Sequence, residues 1–298
     1  TTQMPTDSIH TVDESEYIEV TLGDETAAAA PALPQLPGLQ ERLRALESER
    51  TAAYNQMHRV VADLGALKQG HERWVRELAR AQADALFRLA LLAEYRAGGT
   101  SGKVLRMGVM SALLAHAMGC DEAFCERLQV AAPLLDIGEI GLPDHLFADP
   151  ALSEEGRQQM RSHCRLGEAL LAEAQSPEIA LAAMIARGHH ERFNGAGYPD
   201  RLAGEDIPLA CRIVAVIDCF DALTLKRPFR EAYPIVSAAE MVMAGSGTEF
   251  DPAVIAAFRQ SIEALFLVRW VLDETSPHPE GRCWLGKPPE AGLWKRFR

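Results

Sequence analysis

Apolar residues recur at alternating three- and four-residue spacing from Leu39, through Leu43, Leu46, Ala53, Met57, Val60, Leu64, Leu67, Trp74, Leu78 and Ala81, to Ala85. Arg50 and His71 interrupt the series, and Gly65 and Gly70 mark a place where the helix can break. Sustained heptad spacing of this kind predicts a coiled coil, and no second such segment exists, so its partner is expected to be another copy of the chain. The competing reading is an amphipathic helix lying on its own domain. Beyond it the pattern predicts helices through Ala83–Arg96, from Lys103 to Met118, from Asp121 towards Ala132, after a cap at Ser153, and from Ser176 and Pro177 to about Gly188. The run Leu209–Leu225 is apolar nearly all round, which predicts a buried helix. Runs of alternating β-branched residues are hard to find, so the fold class is all-α.

Polar residues inside these apolar runs mark the candidate chemistry. Asp136 follows Val130–Leu135, and Asp218 sits in the middle of the buried 209–225 helix. A buried carboxylate is costly unless it is paired, hydrogen-bonded or bound to a cation. Alone, Asp218 reads as a structural hydrogen-bond acceptor or an ion-pair partner for Arg212, and His163 as a hydrogen-bonded core or surface histidine. His189 and His190, neighbours at a helix end, change that reading, because two adjacent imidazoles can approach cations held between helices. The following loop, Asn194 to Pro199, has two glycines and a proline, which permits a tight turn.

Composition narrows the alternatives. The chain has 298 residues, 48% of them hydrophobic, enough for a substantial core. A formal charge of −12 argues against a nucleic-acid or anionic-membrane binder. Seven acidic residues and no Lys or Arg fall in 1–37, which reads as a disordered acidic tail. Six cysteines without a CxxC pair read as reduced and structural. With no long apolar span and no signal pattern, a cytoplasmic location is expected.

The stretch Gly188–Arg230 resembles the signature of HD-GYP domains: His189, His190, Glu191 and Phe193, then Gly195, Gly197, Tyr198 and Pro199, then Ala210, Arg212, Ile213 and Asp218, then Asp221, Ala222, Leu223, Thr224, Arg227, Pro228 and Arg230. The likeness extends from about Ala85 to Phe258. It implies an all-helical bundle and metal-dependent hydrolysis of cyclic di-GMP, with two or three ions such as Fe or Mn activating a water for attack on phosphorus. It also implies metal ligands at Asp136, His163, His189, His190 and Asp218, and nucleotide contacts at Tyr198, Arg227 and Arg230. The entering helix resembles a linker that follows a receiver domain.

Several positions depart from the family pattern. Leu135 stands where the family has the histidine of its His-Asp pair, Lys103 where it has a helix histidine, and Gly99 where it has a glutamate one turn earlier. Glu139 replaces a phosphate-holding lysine, and a charge at about 4 Å with an effective dielectric of about 20 is worth about 4 kcal/mol before screening. The resemblance therefore implies one surviving position for a divalent metal (Fe, Mn, Zn or Ni), or none. The Lys103 ammonium is expected between Asp136 and Asp218, in place of the second ion.

The expected organisation is an acidic tail over 1–37, a coiled-coil dimerisation helix over 38–84, the HD-GYP domain over 85–260 and a C-terminal extension over 261–298 packed as a strap through its tryptophans. The expected function is a signalling domain that binds cyclic di-GMP or a protein partner with little or no hydrolysis. The alternatives are a working phosphodiesterase with an altered metal site and a pure interaction scaffold.

Overall fold

The computed structural model describes residues 38–98, 102–148, 152–226, 231–274 and 292–298. Among these every regular element is helical, apart from one isolated bridge between Ser246 and Phe250. The chain divides into two compact units, Thr1–Lys68 and Gln69–Arg298. The expected acidic tail over 1–37 lies outside the described residues, as do Gly99, Arg227, Arg230 and Cys283.

Helix α1 spans Leu39–Arg96, and no break occurs at Gly65 or Gly70. An exposed glycine costs a helix only about 1 kcal/mol, which the long flanking stretches absorb. In the first unit its described side chains are exposed, including every apolar seam residue from Leu39 to Leu67. In the second unit Leu86, Phe87, Ala90, Leu91 and Ala93 are buried, and they dock the last turns of α1 on the core.

The second unit is built around α2 (Gly102–Ala117), whose residues from Arg106 to Ala115 are buried without interruption. Against it pack α3 (Glu122–Ala131), α8 (Leu209–Thr224), α10 (Pro252–Gln260) and α11 (Ile262–Glu274). Gly108 has no room for a side chain, because a Cβ there would run into the Gln129 carbonyl of α3. As its all-apolar circumference predicts, α8 buries Ile213, Val214, Val216, Ile217 and Phe220, the last edge-on to Phe258 with ring centroids 5.4 Å apart.

One charged network is embedded in this core. Asp221 is fully buried, accepts from Arg106 Nε at 2.5 Å and Nη2 at 3.1 Å, and accepts from Arg269 Nη1 at 3.0 Å. Arg269 also donates to the Thr224 carbonyl at 3.0 Å. These bonds join α2, α8 and α11, so a carboxylate that would be costly alone becomes a three-helix tie.

Of the remaining helices, α4 (His145–Ala148), α5 (Glu154–Arg161), α6 (His163–Leu171), α7 (Pro177–Gly188) and α9 (Ile235–Ala244), α7 and α9 pack on α8, and α6 packs on α7. Ser153 caps α5 by accepting from the Gly156 amide at 3.1 Å, but the predicted helix stops at Arg161 and a new one starts at His163. At the C-terminus the short turn Leu293–Phe297 packs on α2 and α11, with Trp294 fully buried beside His116. Of the expected strap, these are the residues that can be described, together with α11.

Candidate metal centre

Two 3-10 turns, Ala132–Leu134 and Ile137–Gly141, bracket Leu135 and Asp136. Leu135 is 2% exposed and belongs to the hydrophobic core, so the position where the family carries a histidine offers packing and no ligand atom. Asp136 points the other way. The turn after it comes so close to α6 that a Cβ at Gly138 would overlap the His163 carbonyl. A Cβ at Gly167 would meet Ala186 Cβ at 2.9 Å, and one at Gly188 would meet Cys211 Sγ at 2.8 Å. Three glycines thus let α6, α7, α8 and the Asp136 turn converge.

His163 begins α6, and His189 follows the last residue of α7. His163 Nδ1 lies 2.8 Å from the Met160 carbonyl, and His189 Nδ1 lies 3.0 Å from that of Ile185 and 3.1 Å from that of Ala186. Carbonyls only accept, so both Nδ1 atoms carry the proton and both Nε2 atoms present a lone pair inward. These Nε2 atoms are 3.4 Å apart, and they stand 3.7 Å (His163) and 3.4 Å (His189) from Asp136 Oδ1. The His190 ring centroid lies 4.0 Å from that of His189 and 5.2 Å from that of His163. One ligand atom from each of Asp136, His163, His189 and His190 falls within 4.8 Å of the others.

Facing lone pairs and a carboxylate repel one another unless a proton or a metal ion sits among them. Burial pulls the His189 imidazole down, yet the bond to Asp136 and its charge outweigh that and leave it raised. His163 is lowered, chiefly by burial, and His190 is held well below its usual value by burial and by the neighbouring His189. Three imidazoles, two of them held towards the neutral form and the third, His189, drawn to the Asp136 carboxylate, with the Nδ1–H groups of His163 and His189 anchored to backbone, fit a first-row divalent ion, which would take the place of a proton among them.

Asp218 lies outside this group of four and is joined to it through Lys103. The Lys103 ammonium donates to Asp136 Oδ2 at 2.7 Å and stands 2.9 Å from Asp218 Oδ1. The second contact is one of charge, since that buried oxygen receives no well-directed hydrogen bond. Burial acts against the Lys103 ammonium, but the two carboxylates outweigh it and raise the amine well above its usual value. Burial would likewise raise Asp136, which Lys103 foremost and the histidines hold well below the carboxylate range. The sequence-based pairing of Asp218 with Arg212 does not form. Arg212 turns to Asp251 Oδ2 at 2.5 Å and to the Ile207 carbonyl at 2.8 Å. Glu139 is half-buried on the turn after Asp136.

Tyr198 covers the cluster, its ring centroid 4.8 Å from that of His190. The buried Glu191 carboxylate shapes the Tyr198 loop by accepting from the amides of Asp200 at 2.7 Å and Leu202 at 3.1 Å. Gly195, at φ +78°, and Gly197, where a Cβ would overlap the backbone of Arg192, give the glycines of this loop their reason. A cleft of about 410 Å³ between α6, α7 and α8 includes Gly188 but none of the four clustered residues.

Two contributors escaped sequence reasoning. Glu94, in the last turn of α1, accepts from the amides of Lys103 at 3.3 Å and Val104 at 3.1 Å, and so holds the start of α2. Arg96 donates to the Leu142 carbonyl at 2.6 Å and pairs with Asp144 at 2.6 Å, on the segment after the Asp136 turn. Glutamates and arginines abound along α1, and nothing in their spacing singles these two out.

Comparison with known proteins agrees with this architecture. The family model described as HD domain matches residues 38–254. The chain is 42% identical over 182 residues to the cyclic di-GMP phosphodiesterase response regulator RpfG of Xanthomonas campestris pv. campestris, covering 61% of this chain and 48% of that protein. It is 38% identical over 204 residues to a cyclic di-GMP phosphodiesterase of Thermotoga maritima, covering 68% and 55%. It is 30% identical over 194 residues to the 3'3'-cGAMP-specific phosphodiesterase 2 of Vibrio cholerae, covering 65% and 37%. The chain thus spans about half the length, or less, of these curated relatives. The match over residues 38–254, together with the strings His189-His190-Glu191 and Gly197-Tyr198-Pro199, makes the chain a member of the HD domain family, of the HD-GYP kind.

Proposed function

We propose that this chain is a signal-transduction domain that holds one divalent metal ion at Asp136, His163, His189 and His190 and binds cyclic di-GMP with little or no hydrolysis. The observation that carries this reading is the Lys103 ammonium at 2.7 Å from Asp136 and 2.9 Å from Asp218. An ammonium has no lone pair to give a metal, and its charge repels a second cation from the space between the two aspartates. Leu135 offers no ligand either. A bound divalent ion would supply charge for a phosphate oxygen and lower the pKa of a coordinated water. The chain's own groups then fix the imidazole tautomers through Met160, Ile185 and Ala186, hold Asp136 ionised, and cover the site with Tyr198.

Metal analysis of the purified protein is expected to find about one ion per chain, with cyclic di-GMP turnover near background. Two ions per chain with rapid turnover would overturn the proposal. The runner-up, a working phosphodiesterase with one altered metal position, draws support from the intact cluster of four and from the activity in the names of the relatives. It requires turnover that disappears in both His190→Ala and Asp136→Ala. Because one relative is named for 3'3'-cGAMP, both cyclic dinucleotides belong in the assay.

The same proposal includes a homodimer through α1. Leu39, Leu43, Leu46, Leu64, Leu67, Trp74 and Leu78 stand 57–74% exposed at heptad spacing, an apolar seam of the kind a second copy covers. A protein signalling partner would meet the domain in this arrangement. No described helix is long and apolar enough to cross a membrane.

A further inference from the structure

Among the described residues, most cations that flank the metal centre are already committed to carboxylates. Lys103 is committed to Asp136 and Asp218, and Arg187 to Glu168 and Asp200. Arg165 also pairs with Asp200, at 3.3 Å. The lysine that the resemblance leads one to expect is Glu139.

Arg161 differs from these. It ends α5, two residues before His163, is exposed, and has no salt bridge among the described residues. Glu154, which feels its charge, is already held by Arg157 at 2.7 Å. The Arg161 guanidinium lies over the Tyr198 ring, 5.2 Å from its centroid, and Tyr198 in turn lies 4.8 Å from His190. Arginine, tyrosine and histidine thus form a stack that leads from solvent to the metal-ligating cluster. The ring contact orients a planar cation beside the cluster without using its N–H donors.

We infer that Arg161 binds an anionic phosphate oxygen of the ligand at the mouth of the metal centre. This takes over the task of the lysine that Glu139 replaces. A guanidinium offers two parallel donors to a phosphate, a geometry a single ammonium lacks. The inference rests on the metal-and-nucleotide reading above for the identity of the ligand, but its chemistry covers a phosphodiester and free phosphate alike.

The test is calorimetric titration of the metal-loaded full chain with cyclic di-GMP and, separately, with inorganic phosphate, for wild type, Arg161→Ala and Arg161→Lys. Arg161→Ala is expected to weaken binding about tenfold to a hundredfold, the usual loss for hydrogen bonds to a charged group, and Arg161→Lys to restore part of it. Metal content and melting temperature should stay at wild-type values, because the side chain is exposed and forms no salt bridge among the described residues. If wild type binds the dinucleotide and Arg161→Ala binds it equally well, the role of Arg161 is overturned while the nucleotide reading stands. Arg161-dependent binding of phosphate, without binding of cyclic di-GMP, would keep Arg161 and remove the nucleotide. A wild type that binds neither overturns both.

Discussion

Lys103 sits where two aspartates need a counter-charge, and its removal separates structural from chemical roles. Lys103→Met leaves Asp136 and Asp218 facing each other across a partly buried gap, which is expected to cost the metal-free protein about 3 kcal/mol in chemical denaturation. Lys103 is raised in the folded state, so its contribution is complete below its unfolded value of about 10.4 and is lost only as pH rises through the folded one. Asp136 is depressed, so its contribution is complete above about 3.9 and is lost as pH falls through the folded value. The penalty measured in Lys103→Met should therefore stay constant between about pH 8 and about pH 9, above the imidazole range, and shrink as pH falls below about 7, because Lys103 also disfavours the charged forms of His163 and His190; a penalty that grows as pH falls would mean that Lys103 does not set the charge of the pocket. Asp136, His189 and His190 were legible in the sequence because they stand in an apolar run or at a helix end, whereas His163 was singled out only by the family resemblance. The Lys103 partner of Asp218 was legible through the family pattern, which puts Lys103 at a ligand position, and it stands where expected; the local candidate, Arg212, six residues earlier on α8, turns towards Asp251 instead. That choice depends on a segment 39 residues away.

Helix α8 carries two acids on different sides, Asp218 towards the site and Asp221 into the Arg106–Arg269 tie. Asp221→Ala strips the carboxylate from two buried guanidinium groups and is expected to destabilise the fold by about 3–5 kcal/mol, read as a large fall in the denaturation midpoint. The same loss without any change in stability would show that the network is incidental to holding α11 on the core. Asp221 was visible in the sequence as one residue of a matching motif, but its task was not, since its partners come from α2 and α11. The helices α4, α9, α10 and α11 were not read as such, whereas α1 to α3, α5, α7 and α8 were legible, because period and caps are local signals. The split between α5 and α6 was not, as it follows from the close approach of His163 to Gly138, a contact between distant segments. The last turn of α1 was equally silent, although Glu94 and Arg96 grip both the start of α2 and the segment after Asp136.

Across the whole chain, the acidic balance and the exposed seam of α1 bear on assembly. If α1 pairs with a second copy, sedimentation equilibrium should give a dimer, and Leu46→Asp with Leu64→Asp should convert it to monomer while the metal content per chain is unchanged. A wild-type monomer at all concentrations would leave the exposed leucines to a different partner. The C-terminal turn shows how far a sequence reading reaches at this scale: burial was expected of the tryptophans, and Trp294 is fully buried. Its place beside His116 could not be inferred from the intervening residues. The lysine at the centre also matters for the molecule in a cell whose metal supply varies. The Lys103 charge is carried by the polypeptide itself, so neither chelation nor starvation can remove it. That share of the pocket's electrostatics is thus hereditary, and only the two charges of the proposed divalent ion have to be acquired from the surroundings.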